Sequence, residues 1–223
     1  MKLVIFIHTC KKYEEGRSKL LENTWADHED IVFITDNENS ELKNHIYIGP
    51  YIVGKTYHPE NVKKMFEIFS NKYSEYDFFM IVDDDSYVNV DKLKLFLSFF
   101  NKEDSYMIGD YLNWPSYKDV TQIWENYNFW AGGGPGIVFT KSCITNFIEL
   151  YGNNNVEVTN HDVWLHELYK VSQGKGLIKR VHCPGFHQYR SDNLYTKFSK
   201  EDNCIVSIHF NGDMTLLSKY HTS

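Results

Sequence analysis

The sequence predicts one α/β domain spanning residues 1–223, built on a mostly parallel central sheet with helices on both faces. Three observations lead there. Short apolar runs alternate with helical periodicities along the chain, the order that yields parallel strands joined by crossover helices. The run Phe78–Val82 is wholly apolar and stops abruptly at three acids, as an interior strand does when its carboxyl end borders a ligand crevice. Finally, no internal repeat or long linker divides the chain, and 223 residues suffice for a substantial core without disulfide support.

Leu3–His8 reads as the first strand, followed by a helix over Glu15–Trp25 with Leu20, Leu21 and Trp25 inward. Ile31–Thr35 is a second strand, stopped by the turn signal Asp36-Asn37. Pro59 can open the next helix, in which Val62, Met65, Phe66, Phe69 and Tyr73 recur at three- and four-residue spacing. After Phe78–Val82 comes a helix from about Val90 to Phe100, with Leu93, Phe96, Leu97 and Phe100 toward the core, then a short strand, Tyr106–Gly109. Residues 110–130 break the rhythm with seven aromatics and no period. Such a stretch reads either as a binding loop whose rings stack on sugars or as hydrophobic cover for the sheet. The glycine run Gly132–Gly136 leads into a strand, Ile137–Thr140, and a helix through Leu150. Asp162–Ser172 reads as helix, Ile178–His182 and Ile205–His209 as strands, and Thr215–Tyr220 as a closing helix.

Composition narrows the function classes. Hydrophobic residues at 42% and aromatics at 16% mark a folded globular chain. A net charge of −7 with no basic block argues against a nucleic-acid partner. No apolar run is long enough for a membrane span, and Met1–Ile7 reads as a core strand rather than a signal sequence. With no Asn-x-Ser/Thr sequon either, the expectation is a soluble, cytoplasmic protein. The four cysteines lack Cys-x-x-Cys spacing, which excludes the common zinc and redox motifs while leaving two disulfides possible in an oxidising compartment.

Four features could converge on the carboxyl edge of the sheet. Asp83, Asp84 and Asp85 repel one another and call for a positive partner. Such oxygen ligands suit Mg²⁺ or Mn²⁺, which bridge phosphate oxygens. A solvated acidic turn is the commoner fate of an Asp cluster, but this one caps a buried strand, which favours a metal–diphosphate site. Gly133 and Gly134 lack Cβ atoms, so their backbone N–H groups can approach a ligand closely, although a tight turn would also explain them. Asp162 opens a helix, where a carboxylate is ordinarily a dipole-favoured residue. His209 ends an apolar strand, where a histidine is more often a core group than a ligand; its candidacy rests on the acids needing a complement around a divalent ion.

Several segments in order resemble the β1,3-glycosyltransferases related to fringe and to core 1 β1,3-galactosyltransferase, which have the GT-A fold. These are Phe6-Ile7-His8-Thr9-Cys10, Arg17, Asn23-Thr24-Trp25, Val32–Asp36, the specific stretch Val82-Asp83-Asp84-Asp85-Ser86-Tyr87-Val88, Gly132–Gly136, His161-Asp162-Val163, Phe186-His187 and Val206–Phe210. The resemblance implies that Asp83 and Asp85 form a DxD pair, with Asp85 on Mn²⁺ (Mg²⁺ as the alternative) and Asp83 toward the nucleotide sugar. It implies that Asp84 positions the donor and that His209 completes the metal's protein ligands, with His187 as the competing candidate. Asp162 would be the general base, and Thr9, Arg17 and Asp36 would border the uridine. The implied reaction is an inverting transfer of a hexose or N-acetylhexosamine from a UDP-sugar to a glycan or glycoconjugate hydroxyl, with a β1,3 linkage.

The chain departs from that pattern in places. His161 replaces an acid beside the implied base, Asp110 stands where relatives often carry a basic residue, and Pro135 interrupts the glycine motif. Two rivals remain: a non-catalytic metal-dependent sugar-binding module, and a haloacid-dehalogenase-like phosphohydrolase. The latter wants a small residue where Tyr87 stands.

Overall fold

The computed structural model describes residues 1–51, 58–111, 130–173, 175–183, 185–188 and 205–221. Most of the aromatic stretch, residues 112–129, and Cys204 therefore lie outside the described residues.

The chain runs through β1 (Leu3–His8), a π-helical turn (Glu14–Ser18), α1 (Lys19–Glu22), β2 (Ile31–Thr35), β3 (His45–Tyr47), α2 (Pro59–Lys72), β4 (Phe78–Asp83), β5 (Ser86–Val88) and α3 (Val90–Leu97). It continues with β6 (Tyr106–Gly109), β7 (Ile137–Thr140), α4 (Lys141–Asn153), α5 (His161–Gln173), β8 (Lys179–His182), β9 (Phe186–Gln188), β10 (Ser207–His209) and α6 (Leu217–His221). Seven strands form the main sheet in the order β3-β2-β1-β4-β7-β6-β8, and β5-β10-β9 form a small second sheet. Within the main sheet β7 alone runs antiparallel to its neighbours, so the expected mostly parallel sheet is what forms.

Strand alternation builds two cores. Leu3, Ile5 and Ile7 of β1 and Phe78, Met80 and Val82 of β4 face α1, α3 and the small sheet. Val4 and Phe6, with Phe79 and Ile81, face α2, α4 and α5. Burial on both faces explains why these strands read as continuous apolar runs instead of alternating ones. On the second face Phe66, Phe79, Phe139 and Phe147 form a connected set of ring contacts with centroids 5.2–6.2 Å apart, within the range where aromatic pairs add to area burial.

Helix starts follow local chemistry. His58 accepts from the Glu60 amide and Pro59 occupies the first turn of α2, where a missing N–H costs nothing. Asn89 caps α3 through Lys92 N, and Thr140 caps α4 through Cys143 N.

Three expectations need correction. The helix expected over Glu15–Trp25 is a π-turn followed by one α-turn, and Leu20 is 38% exposed while Leu21 and Trp25 are buried. A π-turn shifts the face by one residue, which a 3.6-residue period cannot anticipate. The last strand is shorter than expected, Ser207–His209. The helix from Val90 ends at Leu97, with Phe100 packed against the core from beyond it. Cys10, Cys143 and Cys183 carry free thiols.

Candidate active site

β4 and β5 belong to different sheets, and only Asp84 and Asp85 lie between them. The three acids therefore sit on a seam, with Asp83 ending one strand and Ser86 starting the other. They are not a solvated turn: Asp83 is 6% exposed, and Asp84 and Asp85 are 4% exposed.

The surroundings of each acid differ. Thr9 Oγ1 donates to Asp84 Oδ2 at 2.6 Å, and Arg17 Nη1 donates to Asp84 Oδ1 at 3.0 Å. The same nitrogen lies 3.2 Å from Asp85 Oδ2. Nε2 of His209 approaches Asp85 Oδ1 to 2.9 Å as an ion pair. One ligand atom each from Asp83, Asp85 and His209 lies within 4.8 Å of the others.

Register decides between the two histidines. His209 pairs with Ser86 in the small sheet, and both turn toward the glycine run, where Ser86 Oγ donates to Gly134 O at 2.7 Å. His187 pairs with Ile208, the residue of opposite parity, and its imidazole is shifted downward by burial and by His182. The structure thus brings His209, and not His187, to the acids.

The glycines make room for side chains. A Cβ on Gly134 would overlap the His209 ring, and one on Gly133 would stand 2.6 Å from His161 Nε2. Pro135 is accommodated in this buried run, its carbonyl accepting from Ser207 Oγ at 2.5 Å. Asp162 is half-buried in the first turn of α5, and Val163 N donates to its Oδ1 at 2.8 Å. Its charge is a minor contribution to the raised Asp83 carboxyl. Asp36 accepts from Lys11 N at 2.8 Å, holding the loop after β1 against the end of β2. Asp110 is buried at the end of β6, 3.8 Å from His182 Nδ1.

Electrostatics separate the acids. Burial pushes Asp83 up to about 7 and is only partly offset by His209, while Asp85, Asp84 and Asp162 add to it. Burial also lifts Asp84 to about 6, against the hydrogen bonds from Thr9 and Arg17. Burial would raise Asp85 too, but His209 and Arg17 prevail and hold it below the usual carboxylate range. Burial opposes protonation of His209, yet Asp85 raises it overall. When all three acids ionise, Arg17 leaves two formal negative charges uncompensated, which suits one divalent cation. Asp83, Asp85 and His209 offer the oxygen and nitrogen ligands such an ion accepts, so the residues fit the group.

Sequence reasoning missed Glu14, Tyr51 and the position of His8. Glu14 is buried and accepts from Thr35 Oγ1 and Asn37 Nδ2, each at 2.6 Å, which pins the π-turn carrying Arg17. Tyr51 Oη donates to the carbonyls of Thr9 and Ile34, clamping the ends of β1 and β2. The sequence signal for Glu14 was weak: an acid one turn ahead of Arg17.

This sheet, with its buried acidic seam at the carboxyl edge, has the GT-A fold of glycosyltransferases. At the level of fold, the chain resembles the crystal structure of a glycosyltransferase involved in glycosylation of the major capsid of PBCV-1. The TM-score is 0.53 at 12% identity, covering 99% of this chain and 100% of that one. The Fringe-like family's sequence profile matches residues 1–208, and the chain belongs to that family. His209 follows the matched span directly, so its assignment rests on geometry. A curated relative, the beta-1,3-glucosyltransferase of Mus musculus, is 21% identical over 194 residues, covering 85% of this chain and 36% of the relative. The chain thus spans little more than a third of that protein's length. A galactosyltransferase, LgtC, solved with donor and acceptor sugar analogs, aligns with a TM-score of 0.46 at 13% identity, over 100% of this chain and 97% of that one. No helix among the described residues is long and apolar enough to cross a membrane.

Proposed function

We propose that this chain is an inverting, metal-dependent glycosyltransferase. It moves a hexose or N-acetylhexosamine from a UDP-sugar to a hydroxyl of a glycan or glycoconjugate, forming a β1,3 linkage. The observation that carries this reading is the convergence of Asp83, Asp85 and His209 on one point.

Asp85, Asp83 and His209 would hold Mn²⁺, or Mg²⁺ in its place. When bound, the ion offsets charge developing on the departing diphosphate. Thr9 and Arg17 fix Asp84, which orients the donor, while the loop tied by Asp36 borders the uridine. Gly133 and Gly134 are assigned to the donor seat, where a Cβ on either would crowd His161 or His209. Asp162 accepts the proton of the acceptor hydroxyl, a poor nucleophile until that proton is taken. Attack from the face opposite the diphosphate is a single displacement and inverts the anomeric carbon.

The test is to titrate the protein with UDP-glucose, UDP-galactose and UDP-N-acetylglucosamine plus Mn²⁺, and then to assay transfer to arrayed glycans. Metal-dependent UDP-sugar binding and an inverted product are expected. Sugar binding indifferent to nucleotide would favour a sugar-binding module, and phosphate release from phosphoesters a phosphohydrolase. Either result defeats the proposal.

A further inference from the structure

One guanidinium nitrogen serves two of the three acids. Arg17 Nη1 lies 3.0 Å from Asp84 Oδ1 and 3.2 Å from Asp85 Oδ2. Behind the acids, the guanidinium stacks over the Tyr13 ring at 4.0 Å. The turn after β10 closes on it as well: a Cβ on Gly212 would stand 3.2 Å from Arg17 Nη2. Gly212 has a φ of +89°, a conformation that suits glycine. The arginine side chain is 20% exposed, so it is covered but not sealed in.

The acids have other anchors. Thr9 bonds Asp84 at its second oxygen, and Ser18 bonds Thr9 in turn at 2.6 Å. The Gly212 amide bonds the Asp85 carboxylate, and Phe210 N donates to the Asp85 carbonyl at 2.8 Å. What Arg17 adds is charge, permanent because a guanidinium keeps its proton. Asp85 divides its two oxygens: Oδ2 faces Arg17, and Oδ1 faces His209, its partner in the candidate metal site. A divalent ion bound there would share one carboxylate with a fixed positive charge, and the two cations would repel across it. A guanidinium also fits phosphate oxygens through paired N–H bonds. A diphosphate bridged to the ion would offer Arg17 anionic oxygens in exchange for those it shares with the ion.

We propose that Arg17 is the resident counter-cation of the empty seat, holding metal affinity down until a nucleoside diphosphate takes up its guanidinium. This rests on the metal-dependent transferase reading above. Metal and nucleotide then bind as a coupled pair, and Arg17 carries part of the coupling.

Arg17→Gln removes the charge and keeps a polar side chain. Titrated with Mn²⁺ alone, this variant should bind at least about 10-fold more tightly than wild type, although without metal it should unfold at a lower temperature. The factor by which UDP tightens Mn²⁺ binding should shrink in the variant. Arg17→Lys restores the charge and should return both values toward wild type. A purely structural arginine predicts the opposite sign, weaker Mn²⁺ binding once the acids lose a clamp. Equal or weaker binding of Mn²⁺ alone by Arg17→Gln, a UDP effect as large as in wild type, or Arg17→Lys indistinguishable from Arg17→Gln overturns the role of Arg17. If the glutamine variant does not fold, ¹⁵N-arginine labelling of wild type decides. Diamagnetic Mg²⁺ should quicken hydrogen exchange of the Arg17 guanidinium, and UDP added with Mg²⁺ should slow it again; exchange that fails either expectation overturns the role. Wild type that binds no divalent cation, with or without UDP, overturns the metal-dependent reading and this inference with it.

Discussion

Asp83 is the acid whose ionisation costs most, because burial and its neighbours lift it from 3.8 to about 7. A raised carboxyl favours the protonated form in the fold, so this group makes the metal-free protein less stable as pH climbs from about 4 to 7. Asp85 acts in the opposite sense: its depressed carboxyl stabilises the fold above the ordinary carboxylate range, and that contribution is lost on acidification. A cation requires Asp83 ionised and His209 neutral. Mn²⁺ affinity should therefore rise between about pH 5.5 and 7.5, with proton release. Calorimetry in buffers of different ionisation enthalpy measures both; affinity flat over that window would contradict the assignment. Asp85→Asn should abolish Mn²⁺-dependent UDP binding and lower the unfolding temperature near neutral pH, since it removes a carboxylate held by Arg17 and His209. Asp162→Asn should stop turnover but keep metal-dependent UDP binding, and wild-type activity in that variant would remove Asp162 from the role of base.

At the scale of elements, the glycine run and the small sheet act as one unit. Gly134→Ala puts a methyl into the His209 ring and must displace β10 or the run itself. A loss of about 1–3 kcal/mol is expected, in the range of overpacked cores, together with weakened Mn²⁺ binding; chemical denaturation and metal titration read the two effects separately. Much of this level was legible in the sequence. Phe78–Val82 ending in three acids located the seam, because a strand buried on both faces leaves a continuous apolar signature. β3, β5 and β9 were not legible, since three residues carry no period. The choice of His209 over His187 needed register, which joins residues 86 and 209 across most of the chain. His8 looked like the end of a strand and nothing more, because only tertiary packing leaves its nitrogens without partners.

Across the whole molecule, binding should couple to stability. A ligand that occupies only the folded state at about 100 times its Kd adds about 2.7 kcal/mol. For a chain of this size that corresponds to about 5–10 °C in Tm. Mn²⁺ and UDP together should produce such a shift, and Asp85→Asn should erase it; differential scanning fluorimetry reports both. The seam has one more consequence. Its acids and the imidazole opposite them lie far apart along the chain, so the cation seat closes only where β10 docks against β5. The main sheet contains neither β5 nor β10, so its pairing can form while that seat still lacks one wall. Competence to hold the ion then depends on docking of the small sheet rather than on collapse of the large one.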